Sequence, residues 1–212
     1  MDELKAYYKL SIFLMSMIGL WPYQNAKLRL FQVCFINISN GYFFIVQVMI
    51  FKTMKFTINL LLKNLSTLLM FLGSVVKYNA FWYHSNTIKD FMERTKHDWS
   101  TKHEDILKIL ETRTTAGKYH ATCYAIFVLP SALFVTTCHI ASLILIKETE
   151  NGTRTNYFPI MTEYMIDEEK YLYPIVFHQN LSLLICASVF MGTETLYIMW
   201  LHHAASLFEI SR

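Results

Sequence analysis

YHATCYAIFVLPSALFVTTCHIASLILI, residues 119–146, is a run of 28 residues without a single charge. A helix needs about 20 mostly apolar residues to cross the hydrocarbon layer of a bilayer. A helix of that length in a soluble protein would need a charged or strongly polar outer face, and this run offers none. Three further runs read the same way. Residues 30–51 contain no charge over 22 positions, residues 171–193 none over 23, and residues 56–76 carry only Lys63 over 21. Charged residues make up 17% of the chain, against roughly 25% in an average soluble domain, and they are gathered between the apolar runs. With 54% apolar and 16% aromatic residues and only six Gly and four Pro, the chain is neither disordered nor linker-like. The expectation is an all-α membrane protein with four transmembrane helices.

The boundaries follow from where charge returns. Residues 1–27 form an N-terminal segment, with an apolar patch over 10–20 that is too short to span and suits a helix lying at the interface. Pro22 breaks any helix there, and Trp21 and Tyr23 suit a membrane–water boundary. No signal peptide is evident, so the N-terminus is expected to be retained. The spans fall at about 28–51, 56–76, 119–146 and 171–199, and the last continues as helix past Glu194. A polar loop covers 77–118 and a second covers 147–170. Twelve basic residues lie on the side of the N-terminal segment and the 77–118 loop, and five on the other. By the positive-inside rule the N-terminus is cytoplasmic. Asn151, in the sequon Asn151-Gly152-Thr153, then lies outside, where a glycan can be attached.

Signatures of enzymes are missing. There is no glycine-rich phosphate loop, no zinc-protease pair of histidines after His103-Glu104, and no serine in a nucleophile elbow. His202 and His203 are adjacent, so on a helix they diverge by about 100° and cannot grip one metal together. Cys34, Cys123, Cys138 and Cys186 all fall within spans and read as small apolar fillers. No cofactor, metal or nucleic-acid partner is expected, and neither is enzymatic activity.

Four features bear on a ligand or ion. Lys63 lies roughly 10 Å below the end of its span at 1.5 Å per residue. It either faces a wet vestibule or snorkels along its own helix. His139 and His178 lie in the outer halves of their spans, where each either meets a ligand or satisfies a neighbouring helix. Pro130 removes a backbone hydrogen bond and either widens a cavity or simply bends the helix. Tyr157, Phe158, Tyr164, Tyr171 and Tyr173 form either an interfacial belt or a lid over a pocket.

Four local patterns together resemble insect odorant receptors, particularly those of ants, bees and wasps. They are Gly19-Leu20-Trp21-Pro22 before the first span, and Lys77-Tyr78-Asn79-Ala80-Phe81-Trp82-Tyr83 after the second. Glu163-Tyr164-Met165-Ile166-Asp167-Glu168-Glu169-Lys170-Tyr171 leads into the fourth. Gly192-Thr193-Glu194-Thr195-Leu196-Tyr197-Ile198, followed by His202-His203-Ala204, ends it. The resemblance covers essentially the whole chain. It implies seven crossings, a cytoplasmic N-terminus, and a ligand-gated cation channel of four subunits that usually includes a shared co-receptor. Set beside that family, the chain is expected to be a fragment ending before the pore-lining last span. The family's location would be the plasma membrane of olfactory sensory neurons.

The resemblance also implies a small volatile odorant as ligand, bound between the outer halves of the helices. The candidate positions are Leu65 and Leu69 on the second span, Val135 and His139 on the third, and His178, Leu181 and Ile185 on the fourth. An odorant burying about 200 Å² of apolar surface gains roughly 5 kcal/mol before ordering costs, so tuning would be broad. Two other readings stand beside this one. A gustatory-type chemoreceptor fragment would carry its diagnostic motif in the last span. A small four-helix transporter subunit or scaffold would need charged partners within its spans, and only Lys63 qualifies.

Overall fold

The computed structural model describes residues 2–53, 57–101, 103–148, 162–167 and 170–212, with the side chains of 2–3, 63 and 142–148 excepted. The described residues form helices α1 (Asp2–Met17), α2 (Ala26–Thr53), α3 (Ile58–Tyr83), α4 (Ser85–Asp98), α5 (Glu104–Glu148) and α6 (Leu172–Ile210). Four of them, α2, α3, α5 and α6, are long and apolar enough to cross a bilayer, each overlapping one of the four apolar runs. The chain is an all-α membrane protein. Asn151 and the Lys63 side chain lie outside the described residues.

Helix α6 is the axis of the bundle. Half of its most apolar window is buried within the chain, against 11% for α5. Helices α1, α2, α3 and α5 all pack on α6, and α5 is its principal neighbour. Val189, Leu196 and Met199 of α6 join Tyr8, Met15 and Ile18 of the N-terminal segment in the larger core cluster. A smaller cluster near the other end gathers Phe43, Val46, Phe71, Tyr164, Ile175 and Cys186. The four cysteines are unpaired, and only Cys186 is buried.

The apolar patch over 10–20 falls at the end of helix α1, which packs on α6. Helix α1 begins already at Asp2 and buries Leu4, Tyr8 and Met15. It stops by a glycine C-cap. The Leu20 amide donates to the Met15 carbonyl at 2.9 Å and the Gly19 amide to the Ser16 carbonyl at 3.4 Å, with Gly19 at φ 71°. This is the left-handed turn that glycine adopts without strain. The carbonyls left open at the helix end are then taken by other helices. Gln32 donates to those of Ser16 and Met17 (3.1 Å each), Arg29 to that of Gly19 (3.3 Å), and the buried Tyr78 hydroxyl to that of Ile18 (2.8 Å). Tyr78→Phe removes one such donor from a buried carbonyl. It is expected to cost about 1–2 kcal/mol, read as a lower thermal midpoint in detergent at unchanged oligomeric state.

The stretch 77–118, read as a loop, is mostly helical. Helix α3 continues to Tyr83, α4 fills Ser85–Asp98, and α5 starts at Glu104. The reason is helical spacing of small apolar sets. Ile88, Met92 and Thr95 of α4 are buried, as are Leu110, Thr114 and Gly117 of α5. Each set follows i, i+4, i+7, which puts it on one face. Helix α5 runs through Pro130 as well. Ser131 donates to the Phe127 carbonyl at 2.7 Å one residue beyond the missing amide.

Three of the four sequence patterns, the first, second and fourth, meet in space. Tyr78 of the second bonds Ile18 beside the first, and the Arg29 guanidinium stacks 4.3 Å from the Trp82 ring centre. Lys77 pairs with Glu194 of the fourth. Gly192 lies against α1, where a methyl would come within 3.0 Å of Ile18 Cδ1. His202 and His203 diverge as their adjacency requires. His202 Nε2 meets His120 Nδ1 of α5 at 3.0 Å, and His203 Nε2 meets Asp98 of α4 at 3.1 Å.

Candidate functional site

At the end of the bundle away from α4, residues 162–167 fold back over α2 and α6. The Glu163 amide donates to the Val46 carbonyl at 3.0 Å. Thr162 accepts from the Gln179 amide at 2.6 Å. Met165 holds φ 58°, an uncommon conformation for a residue with a side chain, and its amide is bonded by Glu163 Oε1 at 2.9 Å. This reversal turns Tyr164 inward, leaving it 9% exposed.

Tyr164 completes an aromatic cage. Its hydroxyl lies 2.7 Å from His178 Nδ1. The His178 ring is 5.1 Å from the Tyr42 ring, edge-on, and 5.9 Å from Phe43. Phe43 in turn meets Phe71 of α3 at 4.3 Å. The cage therefore joins α2, α3, α6 and the folded-back segment. Of the aromatics expected at this end, Tyr171 and Tyr173 are exposed, and Tyr157 and Phe158 lie outside the described residues.

Near this cage in the chain lies a set of buried polar side chains. His139 of α5, 1% exposed, meets Asn180 Oδ1 at 3.1 Å. Asn180 uses its amide nitrogen on the Val176 carbonyl at 3.0 Å, so its oxygen faces His139 and the proton of that bond sits on His139 Nδ1. Between α2 and α3, Asn64 donates to the Gln47 carbonyl at 2.8 Å. Gln47 is fully buried, and both polar atoms of its side chain lack a hydrogen-bond partner among the described residues. Buried amides are normally paired, so an unpaired one is a place where a polar group of something else can bind. Asn180→Leu is expected to cost about 1 kcal/mol by removing one hydrogen-bond partner of the buried His139, measured as thermal stability in detergent.

The residues singled out in the sequence divide into three groups. His139 and His178 sit among the polar and caged residues just described. Leu181 and Ile185 pack with the larger core cluster. Leu65 and Leu69 of α3 and Val135 of α5 are exposed on the outside of this bundle. Sequence reasoning did not single out Tyr42, Phe43, Gln47, Asn64, Gln179 or Asn180. The signal for four of them was available, since amide side chains inside apolar spans are costly and mark function. Among the described residues no three or more His, Cys, Asp or Glu side chains are grouped to hold a metal.

A protein-family model described as 7tm Odorant receptor matches residues 57–212. No curated protein and no solved structure gives a significant match.

Proposed function

The chain belongs to the 7tm odorant receptor family, and on that premise we propose that it senses small volatile odorants at the caged end of the bundle. The family is one of receptors and channels rather than enzymes. The observation that carries the reading is the pairing of an aromatic cage, Tyr42, Phe43, Tyr164 and His178, with the buried amide of Gln47, which has no hydrogen-bond partner among the described residues. Rings supply apolar area for a small ligand, and the amide and imidazole groups supply orientation for one oxygen atom. Most affinity then comes from burial and the choice among odorants from one or two hydrogen bonds. His139 with Leu181 and Ile185 would extend the pocket along α5 and α6.

In the assembly we propose, the chain joins a shared co-receptor subunit in a heterotetrameric cation channel. It sits in the plasma membrane of olfactory sensory neurons, with its N-terminus in the cytoplasm and the caged end outside. The excess of basic residues flanking the N-terminal side supports that orientation. Asn151 would then carry a glycan. Ligand binding opens the channel only as far as it favours the open state over the closed one.

Cells expressing a receptor that carries this segment, together with a co-receptor, test the reading. His178→Leu or Gln47→Leu is expected to raise the half-maximal concentration for oxygenated odorants about tenfold, the loss of roughly 1.4 kcal/mol of hydrogen bonding. Hydrocarbon odorants of equal size should respond as before. A uniform change in both classes, or none, would remove these residues from the ligand site.

A further inference from the structure

At the opposite end of the bundle, helices α1 and α4 enclose a cavity of about 330 Å³. That is within the lower range of small-molecule sites. Its floor is Leu4, Tyr8 and Met92, all buried. Ile12 and Trp21 line it further, so the interior is almost wholly apolar. Tyr8 is 1% exposed, and its hydroxyl has no hydrogen-bond partner among the described residues. Such a group in an apolar chamber favours a ligand with an acceptor to offer.

Three of the lining residues are polar and more accessible: Lys5, Tyr23 and Lys96. The Lys96 and Lys89 ammonium groups lie 4.8 and 5.8 Å from the Tyr23 ring centre. One carboxylate is already held here. Glu93 accepts from Lys96 at 2.7 Å and from the Tyr23 hydroxyl. Those bonds, Lys96 first, hold its carboxyl below the ordinary range. The same groups suit a second acid. Trp21 and Tyr23 flank Pro22 between α1 and the first long apolar helix, a composition typical of the membrane boundary.

We propose that this cavity binds a single acyl chain bearing an acidic head. The chain fills the space lined by Leu4, Ile12 and Met92. The head meets Lys5 and Lys96 at the mouth. The site is separate from the caged end and does not depend on the odorant reading. Its ligand comes either from free long-chain fatty acid or from an acidic phospholipid of the adjoining leaflet.

The test uses the full chain in phosphatidylcholine nanodiscs, exposed to palmitate carrying a diazirine on its chain, with labelled peptides mapped by mass spectrometry. Labelling is expected on the peptides covering 4–23 and 88–96. Met92→Trp, which fills the cavity, should reduce it at least tenfold. The paired variant Lys5→Gln with Lys96→Gln should reduce palmitate labelling at least fivefold. Labelling by the corresponding diazirine alcohol should be unaffected. The lysine pair is partly accessible, so it decides the matter even if the tryptophan variant fails to fold. A second arm replaces palmitate with diazirine-bearing phosphatidylserine. Labelling of the same peptides by that lipid alone assigns the site to the bilayer, and labelling by palmitate alone assigns it to free acid. The proposal is overturned if neither acidic probe labels these peptides. It is equally overturned if the alcohol labels them as well as the acid, or if the lysine variant leaves labelling unchanged.

Discussion

Valine at position 19 is expected to lower stability by roughly 3–4 kcal/mol. Two costs combine. Gly19 has φ 71°, where a β-branched residue is strained by roughly 1–3 kcal/mol. A methyl there would also lie 2.8 Å from Gln32 Cβ and 3.2 Å from the Arg29 carbonyl oxygen. Neither neighbour is the far end of a flexible chain, so helix α2 itself must shift, at a further cost of about 1–3 kcal/mol. The shift would loosen the bonds from Gln32 and Arg29 that close the end of α1. Size-exclusion chromatography after a heat step should show an apparent midpoint lower by roughly 10 °C. Gly19→Ala should lie between. An alanine variant as stable as the parent would mean that the turn tolerates another conformation.

Gly117→Val is expected to have the next largest effect, about 2–3 kcal/mol. Gly117 of α5 packs against α6, and a methyl there would lie 3.0 Å from His202 Cβ and 3.2 Å from its Cγ. Those atoms are rooted in the α6 backbone, so the two helices must part. Parting them would stretch the His120–His202 bond at 3.0 Å and the Arg113–Glu209 pair at 2.7 Å. The gain in helix propensity from replacing glycine offsets only about 0.5 kcal/mol. Cross-linking of cysteines introduced at neighbouring α5 and α6 positions should slow in the variant. An unchanged rate together with an unchanged thermal midpoint would show that the crossing can widen freely.

The bundle as described leaves broad apolar faces uncovered. Phe127, Phe134 and Val135 of α5 and Leu62, Leu65 and Leu69 of α3 are all exposed. In a bilayer such faces are satisfied by acyl chains without cost. Exposure at these positions is therefore the expected state of a lipid-facing helix, in contrast to what it would mean in a water-soluble domain.

The four long apolar helices were legible because lipid imposes a strong rule, that a spanning segment carries little or no charge over its length. That rule located the runs at 28–51, 56–76, 119–146 and 171–199, and each is overlapped by one long helix. It says nothing about where a helix ends once it leaves the hydrocarbon. Hence α5 reaches back to Glu104 and α4 appears within a stretch that reads as polar. Their buried positions were present in the sequence as spacing, at Ile88, Met92 and Thr95, but the signal is short and easily masked by surrounding charge.

Sequence alone determined that this chain is a helical membrane protein and where its apolar segments run, because hydrophobic length is a property of consecutive residues. Only the tertiary structure decided that α6 is the axis, that α1 belongs to the core, and that Tyr164 turns inward onto His178 while the buried Gln47 side chain finds no hydrogen-bond partner among the described residues. Those facts depend on which residues distant in the chain approach one another. Helical periodicity gives each helix a face, but it does not say what that face will meet.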